Sequence, residues 1–493
     1  MIQDLFHKIS YLSRLGGIEL YLVGGFVRNL LQGEDREALD IDFIMRGKDP
    51  FLFLQKLTDE LQASLVVMDK KNQVYRVVVR VKNSQRYLDF SVMQGNNLER
   101  DLNRRDFTIN SMALKLEDFL NRPLDREKII DPWGGIQDLQ KGIIREVSSR
   151  VFEDDPLRLL RGVRFCAQLR FYMEYNTLIN IKSNNHLINE VARERIREEL
   201  WKILDEEDSY PWIFLLEEDL GLLNQLFPQV NHMRLTEQNI YHGENVWQHC
   251  LRTYRFIEEF ILEPPFKKDI SKELQNRLEE EIIPGRKRKN LLKFFTLFHD
   301  AGKVYTKKVW EGGRITFYGH EKTGIEVIEG MAKGLRLSNP EINILKNLMR
   351  HHMRPLFLHL TKNLKPKTCY KFFKKVGEES PEVLFHSAAD FISKREAKGQ
   401  GEEEFEFYRE FLQKIMEKYF FEKDKFVNPP PLVNGRDLMR DLGIKASPAL
   451  GYLLDKISEA QAEGRLKSRE EALEFASTLT KEKKFINRFG KIT

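Results

Sequence analysis

The sequence predicts an α+β chain, with a mixed sheet and its helices in the first 145 residues and an all-helical remainder. Short β-branched and aromatic runs, the mark of strands, occur only in the first part. From about residue 146 apolar residues recur at helical spacing, and near residue 428 "NPPPLVNG" interrupts that pattern before a helical tail.

Taken in order, "IELYLVGG" reads as a strand entering a turn, and "FVRNLLQG" as a short helix stopped by Gly33. "LDIDFIM", "VYRVVVRV" and "RYLDFSV" read as further strands, and "DPWGGIQDLQKGIIREV" as a turn and a strand. "DDPLRLLRGVRFCAQLRF", "ERIREELWKILD", "PWIFLLEEDLGLL" and "ENVWQHCLRTYRFIEEFIL" have helical patterns. "EPPFKKD" and "PGRKRKN" read as exposed loops between helices. The expected divisions are 1–145, 146–230, 231–425 and 426–493.

Composition excludes several classes. No run of about twenty apolar residues offers a membrane span, and "MIQDLFHKIS" is not built like a secretion signal. Cys166, Cys250 and Cys369 are too few and too scattered for a disulfide framework, so a reducing cytoplasm is the expected location. A net charge of +5, from 80 basic and 75 acidic residues, permits a nucleic-acid partner without requiring one. Oligomeric state is left open.

On a strand, Asp40 and Asp42 share one face while Ile41 and Phe43 take the other. Two carboxylates about 7 Å apart can jointly hold hard divalent cations, the arrangement used for in-line displacement at phosphorus. Gly24 and Gly25 open a helix whose first N–H groups can face phosphate, and Arg28 adds charge one turn in. The plainer alternative is a polar strand edge behind an ordinary turn.

Further on, "ERDLNRRDFTINSMAL" packs Asp101, Arg104, Arg105, Asp106 and Asn110 into a segment whose apolar end predicts partial burial. In "FEDDPLRLLRGVRF", Asp155 precedes Pro156, and Arg158, Arg161 and Arg164 follow at three-residue spacing. These also read as a helix N-cap with a basic stripe.

Taken together and in order, these motifs resemble the class II template-independent nucleotidyltransferases, the bacterial tRNA CCA-adding enzymes and poly(A) polymerases. The likeness spans residues 20 to about 205. It implies a polymerase-β-like catalytic head over 1–145 and a nucleobase-binding helical neck over 146–230. It further implies that Asp40 and Asp42 bind Mg²⁺ and that Gly24, Gly25 and Arg28 lie near the triphosphate of ATP or CTP. Arg105, Asp106 and Asn110 would contact its sugar and phosphates, with Arg161 and Arg164 also on the nucleotide. Asp155 and Arg158 would read the base edge: a carboxylate accepts from the exocyclic amine shared by C and A, and an arginine donates to ring acceptors. Arg195 and Glu199 would be structural.

Two features depart from the family. The acidic pair before the base-reading arginine is Asp154–Asp155, and the stretch between "DID" and "RRDFTIN" lacks the loop that governs the switch from C to A. Asp89, on the strand "RYLDFSV", stands as a third metal carboxylate or a strand-edge polar residue. The function implied is addition of C and/or A to RNA 3′ ends, most naturally tRNA. An ATP-only poly(A) polymerase, a CC-only or A-only enzyme, a hydrolase with an RNA-binding head and a non-catalytic RNA-binding protein are the alternatives.

The histidines form a second constellation. His249, His299–Asp300, His320, His351–His352 and Asp390 fall in an order suited to a divalent transition metal. An adjacent His–Asp at the end of an apolar helix is costly to bury without a metal or partners. The order resembles the HD phosphohydrolase superfamily. That likeness implies a ligand set of His249, His299, Asp300 and Asp390, extended to a second metal by His320 and His352, and activity on 2′,3′-cyclic or 2′-phosphate ends. It makes 231–425 an HD domain. The tail, 426–493, resembles an RNA-contacting segment of HD-bearing relatives, with Arg436, Arg440, Lys445, Arg465 and Lys467 exposed.

Overall fold

The computed structural model describes residues 2–33, 40–81, 84–95, 97–121, 125–238, 244–361, 364–396 and 402–490. The chain divides into two compact units, residues 1–206 with 212–226, and residues 207–211 with 227–493. The expected boundary at 145/146 therefore falls inside one unit, and that at 425/426 inside the other.

The first unit opens with α1 (Ile2–Leu15), β1 (Glu19–Val23) and α2 (Gly25–Leu31). β2 (Asp40–Arg46), α3 (Pro50–Leu61), β3 (Ser64–Asp69), β4 (Val74–Val81), β5 (Ser84–Val92) and β6 (Ala113–Lys115) follow. The strands form one sheet in the order β3-β4-β5-β2-β1-β6. Only β2 and β5 run parallel, so the sheet is mixed as expected. Leu39, the first residue of the expected strand "LDIDFIM", lies outside the described residues. The helices α1 and α3 and the strands β3 and β6 were not anticipated. Asp49 caps α3 and Pro50 opens it, a start signal legible in the sequence.

Alternation along β2 decides what each face carries. Ile41, Phe43 and Met45 are buried with Phe6, Leu54, Leu57 and Phe90, while Asp40 and Asp42 occupy the opposite face. Phe43 and Phe90 stack at 4.7 Å between centroids, fixing β2 against β5. Their register sets Asp42 opposite Asp89 on one side and Val23 on the other.

The stretch 131–147, expected as a turn and a strand, holds more helix than strand. Gly134 and Gly142, both left-handed, bracket a helix over Gly135–Lys141, and only Ile143–Ile144 remain as strand. The expected helix in 211–223 is also broken, into α-helix Tyr210–Phe214, a π-turn Leu215–Asp219 and, past left-handed Gly221, α-helix Leu222–Leu226. In between, α4 (Arg158–Leu169) and α5 (Arg193–Asp205) are joined by the buried pair Arg164–Glu199.

The second unit is built around α7 (Arg288–Phe298), where every residue from Lys289 to Phe298 is buried. It packs against α6 (Val246–Leu262), α9 (Asn339–His351) and α10 (Ser380–Glu396), and α8 (His320–Gly334) lies against α9. "PGRKRKN" is not an exposed loop. Arg286 reaches Glu341 at 3.0 Å and Arg288 reaches Glu382 at 3.0 Å, and these nearly fully buried carboxylates offset the cost of burying the guanidinium groups. The tail helices have a core of their own, including Leu438, Leu453, Ile457, Ala472 and Phe485. The three cysteines are buried and unpaired. Among the described residues no helix is long and apolar enough to cross a membrane.

Candidate active sites

In the first unit a cavity of about 380 Å³ is lined by Gly24, Gly25, Arg28, Asp42, Arg105, Asp106, Asn110, Asp155, Arg158, Arg161, Phe165 and Arg195. The strand β1 ends at its floor, where Gly24 turns the chain with φ 68° and ψ −140°. A Cβ there would stand 2.9 Å from Asp42 Oδ2 and 3.5 Å from Arg105 Nη1, so backbone, carboxylate and guanidinium meet at a point open only to glycine. Burial raises the Asp42 carboxyl above the usual carboxylate range. Arg105 opposes the shift, and the Asp89 and Asp40 charges add to it. A carboxylate crowded in this way has use for a cation.

A hydrogen-bond chain runs along the wall of the cavity. Arg28 Nη1 donates to Asn110 Oδ1 at 2.8 Å, Asn110 Nδ2 to Asp106 Oδ1 at 3.2 Å, and Arg161 Nε to Asp106 Oδ2 at 2.9 Å. Burial alone would raise the Asp106 carboxyl, but Arg161 holds it well below the usual range. Arg158 donates to the carbonyls of Val151 at 3.1 Å and Arg104 at 2.7 Å, and Asp155 Oδ2 accepts from Arg195 Nη2 at 3.0 Å.

Three expected residues do not line the cavity. Asp40 is exposed at the start of β2 on the face that carries Asp42. Asp89 neighbours Asp42, yet Arg76 takes both its oxygens, Nε and Nη2 each at 2.7 Å. Arg164 is buried on Glu199 and stacks 3.9 Å over Phe165, so it sits behind the wall rather than in it. Conversely, Arg195 faces the cavity, and Phe165 enters it with Arg28 and Arg161 over its ring at 5.5 and 5.3 Å. Only the helical spacing of Phe165 after Arg161 could have hinted at its place.

In the second unit two triads meet, His249 with His299 and Asp390, and Asp300 with His320 and His352, all buried. Three backbone carbonyls fix the rings. His299 Nδ1 donates to Thr296 at 2.9 Å, His320 Nδ1 to Phe317 at 2.9 Å, and His352 Nδ1 to Met349 at 2.8 Å. Burial lowers His320 and His352, so on these two Nε2 is then left as a lone pair. His320 Nε2 and His352 Nε2 face each other at 3.2 Å, two acceptors with no proton between them. Asp300 spans the triads, with Oδ2 3.4 Å from His249 and 3.3 Å from His299, and Oδ1 3.4 Å from His320. His299 Nε2 makes no hydrogen bond. This is a donor set that fits divalent cations. Gly302 makes the geometry possible, since a Cβ on it would stand 2.1 Å from the carbonyl oxygen of His320.

Burial pushes His249 down to about 4 and His352 to about 3, which keeps both neutral. His351 points elsewhere and accepts from Arg354 Nε at 2.7 Å. Three neighbours of the cluster were missed by sequence reading: His386, Lys303 at 2.6 Å from Asp300 Oδ2, and Lys394 at 2.6 Å from Asp390 Oδ2. The tail arginines are partly committed, Arg440 to Asp437 and Asp441 and Arg465 to Glu463.

Comparison with known proteins finds matches in both units of the chain. Residues 20–145 match the poly A polymerase head domain, 246–394 the HD domain and 323–476 a tRNA nucleotidyltransferase domain 2. A CC-adding tRNA nucleotidyltransferase of Synechocystis is 26% identical, covering 97% of this chain and 98% of its own. An A-adding tRNA nucleotidyltransferase of Deinococcus radiodurans is 28% identical over 94% and 95%. The Thermotoga maritima CCA-adding enzyme solved with tRNA shares the fold, with a TM-score of 0.63 and 23% identity over 97% of this chain and 95% of that one. The chain thus shares with these tRNA nucleotidyltransferases a match to the poly A polymerase head domain, followed later in the sequence by a match to the HD domain.

Proposed function

We propose that this chain adds C and/or A nucleotides from CTP and ATP to the 3′ end of tRNA, completing or repairing the CCA end. The observation that carries the reading is the cavity in which Gly24, Asp42, Arg105 and the Arg28–Asn110–Asp106–Arg161 chain surround one space. Asp40 and Asp42 would hold Mg²⁺, which supplies charge neutralisation and activation of the attacking hydroxyl. Gly24, Gly25 and Arg28 seat the triphosphate, and Arg105 and Asn110 hold its sugar side. Asp155 accepts from the exocyclic amine of C or A, and Arg158 donates to the neighbouring ring acceptors through the N–H groups not spent on carbonyls. G and U present the opposite pattern. Asp89 serves as a third carboxylate only if Arg76 releases it.

In this reading residues 1–145 act as the head, 146–230 as the neck, 231–425 as an HD domain and 426–493 as an RNA-contacting tail, working in the cytoplasm. The facing Nε2 atoms of His320 and His352 favour a second activity, metal-dependent phosphohydrolysis of 2′,3′-cyclic or 2′-phosphate ends. A divalent transition metal suits the nitrogen-rich donor set.

The test uses tRNA ending before, within and one residue short of CCA, with CTP or ATP supplied separately and the products sized. Extension by two C residues, by one A or by all three distinguishes the CC-adding, A-adding and CCA-adding forms, and unlimited A addition marks a poly(A) polymerase. No extension of any substrate refutes the transferase reading. Unchanged extension by Asp42→Ala refutes the metal assignment, and cyclic-phosphate cleavage that survives Asp300→Ala refutes the hydrolase reading.

A further inference from the structure

His386 stands on α10 one turn before Asp390, so the two side chains leave the same face of the helix. It is fully buried, and neither of its ring nitrogens has a hydrogen-bond partner. Its ring meets His299 edge-on at 4.7 Å between centroids, Phe295 at 4.9 Å and His352 at 6.3 Å. The ring thus packs against the cluster, where His249–His299 is 5.3 Å and His299–His352 is 5.9 Å, while its nitrogens lie outside both triads.

A buried imidazole with both nitrogens idle is costly, and an apolar side chain would fill the space beside Phe295 without that cost. The nitrogens need a partner that no nearby protein atom supplies.

We propose that His386 is a further ligand of the HD cluster, turning its ring from the edge-on packing against His299 to give a nitrogen to the ion held by His249, His299 and Asp390. This rests on the metal reading above. Three imidazoles on one ion make that half of the cluster the more nitrogen-rich, which favours Mn²⁺, Co²⁺ or Zn²⁺ there over Mg²⁺.

The full-length chain, stripped with a chelator, is titrated with Mn²⁺ and the free ion is read by electron paramagnetic resonance. His386→Leu should lose about tenfold or more in Mn²⁺ affinity, and the visible absorption of its Co²⁺ form should shift. In the unaltered chain, Zn²⁺ should move the ring ¹⁵N resonances of five histidines. His386→Leu with unaltered Mn²⁺ affinity and Co²⁺ spectrum, or four moved histidines in place of five, overturns the proposal. If His386→Leu does not fold, the count of five or four decides alone. An unaltered chain that binds none of these ions overturns the metal reading and this proposal together.

Discussion

Replacing Gly24 by alanine tests the head site at its narrowest point. The backbone there, φ 68° and ψ −140°, lies in a region that residues with a Cβ scarcely enter, and forcing one into it costs about 1–3 kcal/mol. The new methyl would also stand 2.9 Å from Asp42 Oδ2, well inside contact distance, so Asp42 must swing away or the turn must open. A displacement on the order of 1 Å in a positioned catalytic group lowers rate about a hundredfold. Gly17 is the control, with φ 62° and nothing within 4 Å of its Cβ position. Gly24→Ala and Gly17→Ala should both lower the melting temperature of the first unit. Only Gly24→Ala should cut nucleotide incorporation into tRNA lacking its 3′ end, by about two orders of magnitude at saturating nucleotide. If the two variants incorporate nucleotide equally well, Gly24 is merely a turn glycine and the crowding at Asp42 plays no part.

Arg164→Ala should destabilise the first unit by about 3 kcal/mol, because Glu199 is left buried with only Lys202 at 3.2 Å. Urea unfolding measures this, and the double variant Arg164→Met/Glu199→Leu should recover most of it; a loss of nucleotide affinity without loss of stability would contradict the structural placement. Asp106, held below its ordinary pKa in the folded chain, contributes stability that is present above about pH 4 and lost as pH falls through its folded value. Melting temperatures against pH should therefore show Asp106→Asn below the unaltered chain at pH 6, with the gap closing as pH drops below 4; a constant gap refutes the ion-pair account. Gly302→Ala should abolish Mn²⁺ binding by the second unit while leaving tRNA extension intact, since its methyl would stand 2.1 Å from the His320 carbonyl oxygen. Retained Mn²⁺ binding would show that the Gly302 turn and the start of α8 can part without breaking the cluster.

Strands with one buried face were legible because their alternation is strong, and β2 is the clearest case, with Ile41, Phe43 and Met45 inward and Asp40 and Asp42 outward. β3 was not legible, since Val66, Val67 and Met68 lie exposed at the sheet edge and give no alternation. The basic run Arg286–Lys289 misled for a different reason. Its partners Glu341, Glu382 and Glu279 are supplied by separate segments, and sequence charge alone reads as solvent exposure. The bracketing glycines 134 and 142 carried a helix signal that the short apolar run after them concealed.

The same division runs through the sites. Motif spacing brought Gly24, Asp42, Asp106, Asn110, Asp155, Arg158 and Arg161 to one cavity, because each segment enters it locally. It could not say which of these groups face the cavity and which hold the others in place. Asp106 and Arg161 lie 55 residues apart and spend their charges on each other, and Asp89 is held by Arg76 across the β4–β5 register. His386 shows the converse. In an apolar helix a lone histidine reads as core, and only the absence of any hydrogen-bond partner beside His299 turns it toward the metal cluster. A buried charge spent on a mate elsewhere in the chain, as Asp106 is on Arg161, holds its neighbours in place, and a buried polar group with no mate is where a ligand is to be sought.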